Sequence, residues 1–248
     1  MNNKTESTDW KACFTGEKTM KRAVLAGILA AYTVMPLTVY AEGELTVSQK
    51  TVISEPDSAI AYFFAKVENT GDAPITFDEG KLAVFSDNDD ILSSNDYVNT
   101  LPYDMMLDAG EYMYICDCMY DSAFEDAVIG DIKFSVQTKE AERGVEVTRI
   151  PAEATYEMNG VDSYNNYAYV TFTNETDEIL YECYITVALL DAEGNVLFVD
   201  RNCCETLGVH PNSTVTLKMY IDKDLCEYYD ANNLTPASAD AVVCIVND

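Results

Sequence analysis

The chain has 248 residues, 48% of them hydrophobic, and sets 43 acidic against 15 basic side chains for a net charge of −28. That length suits two domains of ordinary size, each able to bury its own core without a metal or a disulfide. The acidity excludes nucleic acid, whose binding rests on Lys and Arg displacing counterions, and disfavours an anionic membrane surface.

The first element is a leader. Met20-Lys21-Arg22 supplies a positive flank, and Ala23 to Ala41 carries no charge, the pattern of a secretory signal peptide. Val39-Tyr40-Ala41 offers small or modest residues to a signal peptidase, so cleavage is expected before Glu42. Met20 is an alternative start, with Met1 to Thr19 as an upstream extension. The other reading is an uncleaved anchor, because 19 uncharged residues are long enough to span a bilayer; Pro36 and the small-residue end favour processing. Five basic and three acidic residues fall within 1–41, so the mature chain keeps 10 and 40. It is expected to be secreted or in the cell envelope, without a membrane once cleaved.

The mature chain repeats itself. Ala61-Tyr62 recurs as Ala168-Tyr169, Ile91-Leu92 as Val196-Leu197, and Met113-Tyr114-Ile115 as Met219-Tyr220-Ile221, at offsets of 107, 105 and 106. Asn69-Thr70-Gly71-Asp72 likewise answers Asn174-Glu175-Thr176-Asp177, turn chemistry after an alternating strand. A period near a hundred residues describes whole domains rather than a solenoid. The expected division is 42–138 for the first domain, a charged joint over 139–144, and 145–248 for the second.

Within the first copy, Asp87-Asn88-Asp89-Asp90 is the densest carboxylate turn. Hard cations such as Ca²⁺ prefer oxygen ligands of this kind, but the repeat lays the segment over the plain hairpin turn Asp191 to Asn195. No metal ligands are therefore assigned. Tyr112 and Tyr114 share a strand face, and Tyr120 to Ala127 suits a short helical turn before the last strand.

In the second copy, Tyr167 and Tyr169 share another strand face, with Tyr164 just before them. Tyr181, Cys183, Ile185, Val187 and Leu189 alternate with more polar neighbours, the period of a strand with one buried face. Asp191 to Asn195 turns the chain, with Gly194 where a positive φ is expected, and Val196 to Val199 returns it. Leu225 to Asn232 suits a second helical turn, and Tyr228-Tyr229 within it is the better candidate for a surface aromatic pair. The reading is all-β: two tandem immunoglobulin-like β-sandwich domains after a signal peptide.

At this hairpin the chain resembles a family. Val187-Ala188-Leu189-Leu190-Asp191 followed by Gly194-Asn195 is similar to the signature of FxLYD domains, with Val for Phe and Leu for Tyr. Leu207 to Ser213 is similar to their loop before the next strand. The first copy matches through Leu82 to Asp87, with one residue extra, and Leu107 to Glu111. The resemblance implies an extracellular immunoglobulin-like sandwich of bacteria and archaea, with no catalytic residues to carry over.

Chemistry-bearing residues are few. A Ser or Cys nucleophile usually needs a base within reach, and the single His, His210, lies in a loop between Val209 and Pro211. The 11 Gly are scattered without a phosphate-binding pattern. The mature chain holds seven cysteines, an odd number, none in a C-x-x-C pair. Cys183 is in phase with a buried strand face; pairing among the others is left open. No catalytic residue, cofactor-binding residue or cofactor is assigned. The expected function is a non-enzymatic binding or envelope accessory role, with a protein or a glycan at the cell surface as partner.

Overall fold

Runs of Val, Ile, Thr and Tyr with period-two burial build an all-β chain. The computed structural model describes residues 45–55, 59–98, 106–125, 128–140, 146–161, 163–204 and 208–247. The leader over 1–41, its cleavage at Glu42 and most of the 139–144 joint lie outside these. Among the described residues no helix is long and apolar enough to cross a membrane.

The first half contains β1 (Leu45–Glu55), β2 (Ile60–Asn69), β3 (Ile75–Ser86), β4 (Ile91–Val98), β5 (Met106–Leu107), β6 (Tyr112–Tyr120) and β7 (Ile129–Glu140). One sheet has the order β1-β2-β6; the other carries β4 and β7 on either side of β3, with β5 pairing the start of β3. Ala61, Phe63, Ala65 and Val67 alternate inward along β2, and Phe63 meets Phe134 of β7 at 4.8 Å between ring centroids. Each fully buried ring contributes about 1.5–3 kcal/mol from area alone.

The second half contains β8 (Glu146–Ile150), β9 (Ala152–Glu157), β10 (Tyr167–Thr173), β11 (Cys183–Leu190), β12 (Val196–Cys204), β13 (Thr214–Tyr220), α1 (Lys223–Ala231) and β14 (Ser238–Asn247). Its sheets have the orders β9-β10-β13 and β12-β11-β14-β8. The pairing β1-β2-β6 thus recurs as β9-β10-β13, and β4-β3-β7 recurs as β12-β11-β14. Helical turns precede the last strand of both halves, the 3-10 turn Ser122–Phe124 capped by Asp121 and α1 capped by Asp222.

The recurrence extends to single hydrogen bonds. Asn69 and Asn174 are both wholly buried. Asn69 Nδ2 donates to the carbonyls of Ala73 and Leu107, and its Oδ1 accepts from the Gly71 amide. Asn174 Nδ2 donates to those of Glu178 and Val209, and its Oδ1 accepts from Thr176. At the hairpins, Ser86 Oγ accepts from the amides of Asn88 and Asp90, as Asp191 Oδ1 does from Glu193 and Asn195. Ser86, not Asp87, therefore holds the turn position that Asp191 holds. Strand β6 answers β13 with Glu111 at the place of Ser213, so the Met113 triplet does not stand opposite the Met219 triplet.

Two local expectations change. Strand β11 begins at Cys183 rather than Tyr181, because Glu182 turns through φ +56° and Leu180 bridges to Val209; Tyr181 is left exposed. Tyr229 is buried on α1, its hydroxyl donating to the Leu197 carbonyl at 2.8 Å, so Tyr228-Tyr229 is not a surface pair.

Candidate functional site

Strand β2 is aromatic on both faces. Phe63 points into the first half, while Tyr62 and Phe64 belong to the opposite face, beside Cys118 and Cys116 of the paired β6. That second face is covered by the other half of the chain. Phe64 meets Phe198 of β12 at 5.9 Å with a tilt of 59°, and Thr51 Oγ1 donates to the Val196 carbonyl at 2.7 Å.

Farther along the same face a polar clamp joins the halves. Tyr112 and Tyr114 both donate to Asp240 Oδ2 on β14, at 2.6 and 2.8 Å. Arg149 of β8 donates to the Tyr112 carbonyl at 2.6 Å and pairs with Glu111 at 2.8 Å, while Lys66 Nζ sits 3.9 Å from the centre of the Tyr112 ring. Burial, together with the bond to the Asp240 carboxylate, pushes the Tyr112 phenol up to about 12 and raises Tyr114 further still.

Beside Phe64 and Phe198, which both line it, is a cleft of about 420 Å³. Its floor is apolar: Phe64, Phe198, Val199 and Leu225. Tyr62 stacks beside Phe64, with rings 6.4 Å apart and 17° from parallel, and Tyr220 also lines the cleft. Around this aromatic corner stand Asp117, Asp200, Asp222 and one cation, Arg201.

These polar groups differ in what they are free to do. Asp117 accepts from Asn95 Nδ2 at 2.6 Å and from the Cys118 amide at 2.8 Å, and Asp222 caps α1 through the Asp224 amide. Burial pushes the Cys116 thiol up to about 12, the opposite of what a reactive thiolate needs. Burial also raises Asp200, an effect that the Arg201 amide and guanidinium only partly offset.

A second surface lies on the solvent side of β9-β10-β13. Tyr167 touches Tyr169 and Tyr220, each at 6.1 Å, and Tyr169 donates to Glu157 at 3.1 Å. Thr171 and Thr173 continue the face through hydroxyl contacts with Thr216 and Thr214. Tyr164 beside it is 70% exposed.

The remaining sequence candidates fall outside both places. Asp87, Asn88, Asp89 and Asp90 are exposed on a hairpin turn, and among the described residues no group of three or more His, Cys, Asp or Glu is arranged to hold a metal ion. His210 is exposed in the loop before β13. Sequence reasoning passed over Asp200, Arg201 and Phe198. The available signal was the break in the apolar run Val196 to Val199 by two charges, together with aromatic residues on both faces of β2.

No protein-family profile matches the chain, and no curated protein sequence does. Among solved structures, red sea bream transglutaminase aligns with 84% of this chain and 29% of its own, at 11% identity and a TM-score of 0.25. The infectious bursal disease virus VP2 subviral particle aligns with 88% of this chain and 69% of its own, at 7% identity and a TM-score of 0.23. This chain thus spans less than a third of the transglutaminase.

Proposed function

We propose that this chain is an exported, non-enzymatic binding protein of the cell envelope, made of two tandem immunoglobulin-like sandwiches of FxLYD type. Residues 1–41 serve as its signal peptide, and 42–138 and 145–248 are its two copies. The observation that carries the binding role is the cleft itself, lined by residues of both halves of the chain. Its walls are aromatic, Asp117 and Asp222 already serve the fold, and Cys116 is held as a protonated thiol. Such a site favours holding a ligand over cutting one.

The leading partner is a protein at the cell surface. A glycan is the second reading, favoured by the Tyr164, Tyr167 and Tyr169 face, since flat phenol rings stack on sugars and Glu157 offers an acceptor beside them. Residues 42–248, immobilised, are expected to retain a discrete partner from envelope extracts, and loss of that partner on a Tyr62→Ser change would place it at the cleft. Retention of defined glycans, abolished by Tyr167→Ala with Tyr169→Ala, would move the function to the sheet face. Turnover of a peptide or glycan by the purified chain would sink the binding reading altogether.

A further inference from the structure

The cleft between the halves combines three features that restrict what can enter it. It is large enough for a small ligand group, at about 420 Å³. Its floor of Phe64, Phe198 and Leu225 accepts an apolar stem. Its polar margin holds three carboxylates against one guanidinium, an excess of negative charge within a chain that already carries −28. An anion would meet repulsion from both the local margin and the whole molecule. A neutral apolar ligand would fill the floor and leave the excess negative charge of the margin unmatched.

We propose that this cleft binds an organic cation, an ammonium group on an apolar stem, with the stem against Phe64 and Phe198 and the charge beside Asp200. The proposal rests on the binding reading above and names the chemistry of its ligand. Aromatic faces attract cations through the ring quadrupole, the more so once the pair is desolvated. Tyr62, stacked beside Phe64, and Tyr220 are aromatic rings that line the cleft. Arg201 follows Asp200 in sequence, and it leaves Asp117 and Asp222 in excess.

The behaviour of Asp200 supports the assignment. It lines the cleft half turned from solvent, where burial disfavours its charge although its Oδ1 accepts from the Arg201 amide at 2.7 Å. Carboxylates that weigh against folding while lining a cleft are characteristic of functional positions. A bound ammonium group would add to the counter-charge of Arg201, which offsets the burial of Asp200 only in part.

The ligand has two sources that share this chemistry, a free amine or a lysine side chain on a partner. Calorimetric titration of residues 42–248 with phenethylammonium chloride tests the first, and an acetylated, amidated Gly-Lys-Gly peptide tests the second. Saturable binding by either is expected, with 2-phenylethanol and sodium chloride at equal ionic strength giving none. Asp200→Asn, which preserves shape and the oxygen that accepts from Arg201, should weaken binding by about tenfold or more. Tyr62→Leu should weaken it independently while leaving Asp200 in place, and the melting transition of each variant shows that it is folded.

Equal uptake of phenethylammonium and 2-phenylethanol would overturn the proposal, as would binding that folded Asp200→Asn leaves unchanged. Absence of binding by both cations would overturn it too. The broader binding role would then stand or fall on envelope capture alone, because that experiment does not depend on the charge of the ligand.

Discussion

Asn69 and Asn174 each occupy a wholly buried position at which one side chain satisfies two carbonyls and one amide. Replacing either by Ala orphans those groups and is expected to cost about 2–4 kcal/mol in urea unfolding, as buried polar groups left without partners do. Asn174→Asp should be no milder despite its similar shape, because a carboxylate cannot donate to the carbonyls of Glu178 and Val209. Asp200 behaves in the opposite sense. Its folded pKa is raised above the ordinary value of 3.8, so the contribution of the group is favourable only while it is protonated and is lost as pH rises through the folded pKa. At neutral pH, Asp200→Asn should therefore melt higher than the parent, and the gap should close as pH falls toward about 4. A gap that widens on acidification would show that Asp200 is stabilised as the anion. Tyr112 follows the same rule at the alkaline end. Stability linked to it should hold below about pH 10 and decline as pH approaches about 12, a decline removed in Tyr112→Phe.

Among the elements, the hairpins show how a shared backbone demand is met by different residues. Ser86 and Asp191 both offer an oxygen to the amides two and four residues on, and both turns sit next to an irregularity in strand register. Gly194 adopts φ +86°, the conformation its place in the turn anticipated. Gly130 at the start of β7 is constrained for another reason. A Cβ there would lie 2.5 Å from the Ser86 carbonyl oxygen and 2.6 Å from the Asp87 Cα, both backbone atoms that cannot swing aside. Gly130→Ala should thus push β7 off β3 and destabilise by about 1–3 kcal/mol, the usual cost of overpacking. Thermal melts of that variant against Gly110→Ala separate two effects, since Gly110 has open space but φ +80° and should lose about 1 kcal/mol from backbone strain alone.

For the whole molecule, the two halves are joined by more than the chain between them. Phe64 against Phe198 and the two tyrosine hydroxyls on Asp240 tie the first half to the second. Residues 42–140 and 142–248 should each still unfold cooperatively, but at lower temperature than the intact chain, because separation exposes Phe64 and Tyr114. If either piece alone is molten, the repeats share a single core and 139–144 is not a domain boundary. With 43 acidic and 15 basic groups, self-repulsion acts on the compact state, so added monovalent salt should raise the melting temperature of the intact protein. Calcium at equal ionic strength is expected to add nothing that depends on Asp87, Asp89 and Asp90; a saturable shift abolished by their replacement with Asn would assign that turn as a metal site.

The all-β class, the hairpin at Asp191 to Asn195 and the helical turns before each last strand were legible in the sequence. All are local: period-two alternation, turn residues and caps act over a few neighbours. The correspondence of the two halves was legible only in part, because short apolar triplets such as Met113-Tyr114-Ile115 recur by chance in strands, whereas Asn69 and Asn174 make matching hydrogen bonds. Tertiary structure alone decided what covers the second face of β2 and whether Tyr229 points inward. It also decided that Asp200 lies beside Cys116 and Phe64. Alternation states that a strand has two faces; what meets each face is supplied by residues more than a hundred positions away, and both the burial of an acid and the shape of a cleft follow from that meeting.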